Sequence, residues 1–293
     1  MNRQQLIQLI KEKKSFLCVG LDTDPERIPV HIQKKYPDDP VFAFNRMIID
    51  ATIGAAVAYK PNLAFYEARG SKGWKSLEKT MAYLSEHPEG PVFSIADAKR
   101  ADIGNTSLQY AGAFFEHLGF DAVTVNPYLG HDAVKPFLSY EGKWAIILAL
   151  TSNPGSIDFQ VLQPQLPTLL EKLGIKTCYW KKLFELVIEE SSKWGNLENT
   201  MYVVGATHPE MLDSIREIIP EHFLLIPGVG TQGGDLQQIA AKTLTKDAGI
   251  LVNVSRAVLY ASQGEDFAEK AKSVAEHYQQ QMQEILTLRN YPA

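Results

Sequence analysis

The sequence predicts a (β/α)₈ barrel. Eight short apolar runs recur along its 293 residues, and helix-like segments lie between most of them. The first run is followed by "DTDPERIP", without the GxGxxG turn that opens many doubly wound sheets. Each run is rich in Val, Ile, Leu or Phe and nearly continuous in apolar character, as parallel strands covered on both faces are.

Taken in order, "MNRQQLIQLIKEKK" reads as a short amphipathic helix, and "FLCVGLD" (16–22) as the first strand. "AVAYKPN" (56–62) is the second, followed by "SKGWKSLEKTMAYLSEH" with apolar residues at helical spacing. "PVFSIADAK" (91–99) precedes the helical "NTSLQYAGAFFEHLG"; "AVTVNPY" (122–128) and "AIILALT" (145–151) come next. "MYVVGAT" (201–207), "FLLIPGVG" (223–230) and "GILVNVSR" (249–256) complete the set. The helices between them are "HPEMLDSIREII" and "GGDLQQIAAKTLTKDAG", each finishing near a Gly or Pro. Strand alternating with helix implies βαβ units. The connection between the fifth and sixth strands is much longer than the others. With two prolines in "QVLQPQLPTLLEKLGIKT", it is expected to hold an inserted excursion at about 156–200, a lid or extra surface helix within one domain spanning 1–293.

Composition bounds the function. Hydrophobic residues make up 45% and charged residues 22%, an ordinary globular balance, with net charge −5 and pI near 5.8. No basic stripe points to nucleic acid or a membrane surface, so an anionic ligand must be held by local groups. Cys18 and Cys178 show no CxxC or metal-ligand spacing and read as free thiols of a reducing compartment. The opening stretch has no signal-like apolar region, and no run approaches the roughly 18 residues of a membrane span. A soluble, cytoplasmic protein is expected. The seven histidines form no HxxxH, no metal site is expected, and His131 reads as a helix start.

The polar residues gather at the carboxyl ends of the expected strands: Asp22, Lys60, Asn62, Asp97, Lys99, Asn126, the Thr151–Asn153 stretch, Ser255 and Arg256. In a barrel those ends share the face where active sites are built. Asp97 and Lys99, two apart in a strand, project the same way, and Asp22 and Lys60 on neighbouring strands can join them. Alternating charges offset one another's desolvation and place an ammonium proton donor in a preorganised field. A structural ion pair is the plainer reading of Asp97 and Lys99, and a helix N-cap that of Asp102. In "IPGVGTQGGD", glycines 228, 230, 233 and 234 let backbone N–H groups approach an anion. A helix N-terminus follows, and Arg256 can bind phosphate bidentately. Loops after strands 7 and 8 are the usual phosphate site of this barrel, the alternative being a glycine-rich turn without ligand.

"DAKRADIGNT" resembles the DxKxxD-I-x-x-T motif of the orotidine 5′-phosphate decarboxylase family. "GLD", "YKPN", "TSNPG", "PGVGTQGGD" and the "SR" after strand 8 resemble that family in its order, across residues 16 to about 260. "TSNPG" and the chain length are similar to its extended bacterial subgroup. The resemblance implies conversion of orotidine 5′-phosphate to uridine 5′-phosphate and carbon dioxide in pyrimidine synthesis, without cofactor or metal. It implies that Lys99 protonates C6, that Asp97 sits against the substrate carboxylate, and that Lys60 and Asp102 complete the charged network. Asp22 and Lys60 would hold the ribose. Ser152 would contact the pyrimidine, and Gln232 would bridge base and phosphate. Pro227, Ser255 and Arg256 would line the phosphate site, with Ser255 where the family often has Gly. Ile103 would also line the substrate site. Asp102 and Thr106 would reach across the interface of a homodimer. Two rival functions remain. A metal-dependent sugar-phosphate decarboxylase or aldolase needs a carboxylate on strand 2, where this chain has Lys60. A non-catalytic phosphate sensor does not need Asp97, Lys99 and Asp102 together.

Overall fold

Eight parallel strands close on themselves in sequence order: β1 Leu17–Leu21, β2 Ala56–Pro61, β3 Phe93–Arg100, β4 Ala122–Val125, β5 Trp144–Leu150, β6 Thr200–Val204, β7 Phe223–Pro227 and β8 Ile250–Val254. Closure comes from β1 against β8, with Leu17 opposite Val252 and Val19 opposite Val254. This computed structural model describes residues 1–164, 181–230, 234–289 and 291. All eight expected runs form strands, and most stop short of their polar ends, which turn out of the ladder into the mouth. Every residue of β1, β2, β4, β6 and β8 is buried, the physical origin of their continuous apolar character.

The opening segment forms helix Arg3–Lys13. Asn2 accepts from the Gln5 amide, and the Gln5 side chain returns the bond to the Asn2 N–H. Its buried Arg3 stacks over Phe223 at 5.2 Å and pairs with Asp247 at 3.1 Å. Phe93, Trp144 and Phe223 meet edge-on beside it and close the amino end of the barrel. A cavity of about 630 Å³, lined in part by Glu78, Ser94, His117 and Asp121, lies at that end of β3 and β4, away from the charged mouth.

The expected helices form at Gly70–Ser85, Leu212–Ile218 and Leu236–Thr243, and His131 does start helix His131–Leu138. The expected 105–119 helix forms as α-helix Gly104–Gly112 and then widens into a π-turn at Ala113–His117. Its cap position is Ile103, without a side-chain cap, so Asp102 is not an N-cap. Within the expected excursion, a turn at Pro154–Asp158 and helix Leu183–Ser191 are described, the helix packing on β5 and on helix Leu212–Ile218. Residues 165–180, the middle of that stretch and the site of Cys178, lie outside the described residues.

Candidate active site

Lys60 stands at the penultimate position of β2 and is 4% exposed. Its Nζ lies 2.6 Å from Asp97 Oδ2 and 3.9 Å from Asp22 Oδ1. Lys99 Nζ lies 2.5 Å from the other Asp97 oxygen. A single carboxylate thus bridges a buried and a half-exposed ammonium. Burial opposes the charge on Lys60, but Asp97 and Asp22 outweigh it and raise the lysine above its ordinary value. Burial likewise opposes charge on Asp97, but Lys60 and Lys99 outweigh it and hold the acid well below the usual carboxylate range. Lys60 and Asp97 therefore face each other as an ion pair at neutral pH. The oxygen of Asp22 that faces Lys60 is buried and has no hydrogen-bond partner among the described residues. A buried acceptor left open at a barrel mouth suits a hydroxyl-bearing ligand.

The strand delivers Asp97 and Lys99 to the mouth by a bulge rather than by plain alternation. Ala96 pairs with Val123 and Arg100 with Val125, so β3 takes four residue steps where β4 takes two. Lys99 lies in the left-handed region at φ 50°. Thr124 on β4 compensates the lost ladder bonds: its hydroxyl accepts from the Ala98 and Lys99 amides at 3.0 and 2.9 Å. Thr124 is a functional candidate the sequence reading missed; the available signal was a lone hydroxyl inside the otherwise apolar "AVTV".

The remaining expected residues divide. Asp102 is partly exposed, accepts from the Ile103 amide at 2.8 Å, and makes no ion pair within the chain among the described residues. It is not brought to Lys60, Asp97 and Lys99. Ile103 and Thr106 point outward, Ile103 at 57% exposure. Asn62 and Asn126, polar residues at strand ends, instead cap the turns that follow, accepting from Ala64 and Tyr128 amides. Ser152 follows β5 and packs on Gly205; a Cβ at Gly205 would sit 2.7 Å from the Ser152 nitrogen, so only glycine lets the two loops pass.

Pro227 ends β7, and the loop beyond folds back on itself, Gly234 donating to Gly228 O and Gly230 to Gly234 O. Gln232 lies outside the described residues. The helix that follows is less suited to an anion than the sequence suggests: Asp235 caps it, its carboxylate accepting from Gln237 and Gln238 amides. A carboxylate there repels phosphate. The other side of the site is better furnished. Ser255 accepts from the Asn253 side chain at 3.3 Å and opens the short helix Arg256–Leu259 without capping it. Arg256 is exposed, and its guanidinium makes no hydrogen bond or ion pair among the described residues. Tyr260, also missed in sequence, ties this segment to the first strand's loop by accepting from the Asp24 amide at 2.8 Å and donating to Asp22 O at 3.2 Å.

The chain matches the orotidine 5′-phosphate decarboxylase / HUMPS family over residues 15–271. It is 52% identical over 287 residues to the orotidine 5′-phosphate decarboxylase of Phocaeicola vulgatus, covering 98% of this chain and 99% of that one. It is 54% identical over 283 residues to that of Christiangramia forsetii, covering 96% and 97%. Among solved structures, Leishmania donovani OMP decarboxylase superposes with a TM-score of 0.75 at 31% identity, covering 97% of this chain and 99% of that one.

Proposed function

The chain belongs to the orotidine 5′-phosphate decarboxylase family, and from that premise we propose that it converts orotidine 5′-phosphate to uridine 5′-phosphate and carbon dioxide at the charged mouth. It is then a carbon–carbon lyase of pyrimidine synthesis. The observation that carries the assignment is the chain Lys60–Asp97–Lys99, one carboxylate held between two ammonium groups where substrate enters.

The chemistry follows from that placement. The bond from C6 to the carboxylate breaks, carbon dioxide leaves, and the electron pair stays at C6. Lys99, half exposed at the mouth, stabilises that developing charge and then transfers a proton to C6. The neutral amine regains its proton from water. Asp97 keeps Lys99 aimed and sits against the substrate carboxylate, while Lys60 keeps Asp97 ionised. Asp22, with its open oxygen, and Lys60 take the ribose hydroxyls. Ser152 meets the pyrimidine. Gln232 bridges base and phosphate, Pro227, Ser255 and Arg256 take the phosphate end, and the Arg256 guanidinium, unpaired among the described residues, supplies a cation there. Binding energy from that remote group helps to close the site over the reacting end.

Asp102 and Thr106 act in the site of a second copy of the chain. Ile103, Leu108, Tyr128 and Leu129 support this: they are 57%, 42%, 88% and 47% exposed on the segments that follow β3 and β4, apolar surface that a homodimer would cover. The chain works as one domain, with the 156–200 stretch as its excursion. As an enzyme of pyrimidine synthesis it is assigned to the cytoplasm; among the described residues no helix is long and apolar enough to cross a membrane.

The metal-dependent rival is disfavoured by Lys60, which occupies the strand 2 position that a metal site would give to a carboxylate. The test is loss of orotidine 5′-phosphate absorbance with purified protein after exhaustive chelation. Undiminished turnover is expected. Turnover that returns only when a divalent ion is restored would favour the rival.

A further inference from the structure

We infer that Thr124 is a positioning residue for Lys99 and Asp97, holding the proton donor and its carboxylate partner in register through one buried hydroxyl. The role for turnover rests on the decarboxylase reading above; the geometry stands by itself.

Thr124 is 1% exposed in the middle of β4. A hydroxyl has two acceptor lone pairs and one donor proton. Here both lone pairs receive amides, those of Ala98 and Lys99 at 3.0 and 2.9 Å. The proton has its nearest acceptor in Asp97 Oδ1 at 3.2 Å, with Ala96 O farther at 3.5 Å. That same Asp97 oxygen binds Lys99 Nζ at 2.5 Å. One side chain therefore touches the backbone of the proton donor and the side chain that aims it.

The need for such a group lies in the backbone. Lys99 is one of three non-glycine residues with positive φ among the described residues, and the other two, Lys14 and Ala248, are far from the mouth. A left-handed lysine costs energy and persists only where its surroundings over-determine it. The bulge that produces it removes the Ala98 and Lys99 amides from the ladder to β4. Without Thr124 Oγ the buried Ala98 amide and the part-buried Lys99 amide lose their acceptor, and the segment relaxes toward ordinary strand geometry. Lys99 would then leave the mouth while the phosphate and ribose contacts stayed in place.

The test compares Thr124→Val, which keeps the shape and removes the hydroxyl, with Thr124→Ser, which keeps the hydroxyl. Turnover number, affinity for uridine 5′-phosphate and amide hydrogen exchange at Ala98 and Lys99 are measured on wild type and both variants. For Thr124→Val, turnover should fall roughly tenfold to a hundredfold, the scale of one or two unsatisfied buried donors. Product affinity should stay within about twofold, because the remote contacts are untouched. Exchange at the two amides should speed up. Thr124→Ser should recover most of the turnover and the slow exchange. If Thr124→Val does not fold, Thr124→Cys, with a poor acceptor in place of the hydroxyl, is measured in its stead. Unchanged turnover with only a lower melting temperature, a loss confined to product affinity, or failure of Ser to rescue would each overturn the role. Inactive wild type would count against the decarboxylase reading, and the exchange rates would still decide whether the hydroxyl holds the two amides.

Discussion

Lys60 Nζ lies 2.6 Å from Asp97 Oδ2, with the lysine side chain 5% exposed and the carboxylate 11%. Removing one partner of a buried pair leaves the other uncompensated, at a typical cost of 3–5 kcal/mol. Lys60→Met should therefore lower stability by about 3 kcal/mol as well as abolish turnover, since Asp97 and Asp22 would face each other without it. Asp97 is held below the usual carboxylate range, so its contribution is whole above that range and is lost only as pH falls beneath it. Lys60 is raised, so its contribution is whole below the ordinary lysine value and is lost only as pH rises past the raised one. In Lys60→Met the buried Asp97 loses the cation that keeps it ionised, so the stability gap to wild type in urea melts should be widest at neutral to alkaline pH and narrow as pH falls and Asp97 takes up a proton. A gap that widens as pH falls would mean the pair is not ionised as described.

Arg256 is exposed at the start of the segment after β8, with no partner for its guanidinium among the described residues. Arg256→Ala should weaken binding of the phosphorylated substrate by about 2–3 kcal/mol, the scale of a charge-assisted pair. It should matter far less for the nucleoside lacking phosphate. Equal losses for both, measured as kcat/KM, would make Arg256 structural and put the phosphate elsewhere.

Asp102 makes no ion pair in its own chain among the described residues, although it is only three positions after Lys99. A two-fold dimer makes lending reciprocal. Mixing inactive Lys99→Ala with inactive Asp102→Asn protein creates, in each mixed dimer, one site with both lesions and one with neither. Random exchange makes roughly half the dimers mixed, so activity should return to roughly a quarter of wild type by symmetry counting. Native mass spectrometry establishes that subunits have exchanged. No recovery despite exchange would confine Asp102 to its own chain.

The barrel was legible because eight buried strands write themselves as eight apolar runs, and Lys60, Asp97 and Lys99 were legible because charge at the end of such a run demands a partner. Other features depend on contacts that no local pattern encodes. The β3 bulge and the left-handed Lys99 are set by Thr124, 25 positions away in sequence. The helix after β7 was expected to offer its N-terminus to an anion, and only the bonds of Asp235 to Gln237 and Gln238 show a carboxylate already occupying that end. Asp102 is a good N-cap by residue type, yet the helix begins beyond it. Tyr260 joins two loops that meet only because the barrel closes.

Lys99→Ala is the most direct test of the central claim, that the half-exposed ammonium on Asp97 supplies the proton while the remote phosphate supplies the binding. Turnover of orotidine 5′-phosphate and affinity for uridine 5′-phosphate are measured on the same folded sample. Turnover should be lost by at least about three orders of magnitude, since both the proton and its field are removed, with product affinity changed by less than about tenfold. Turnover near that of wild type would contradict the claim.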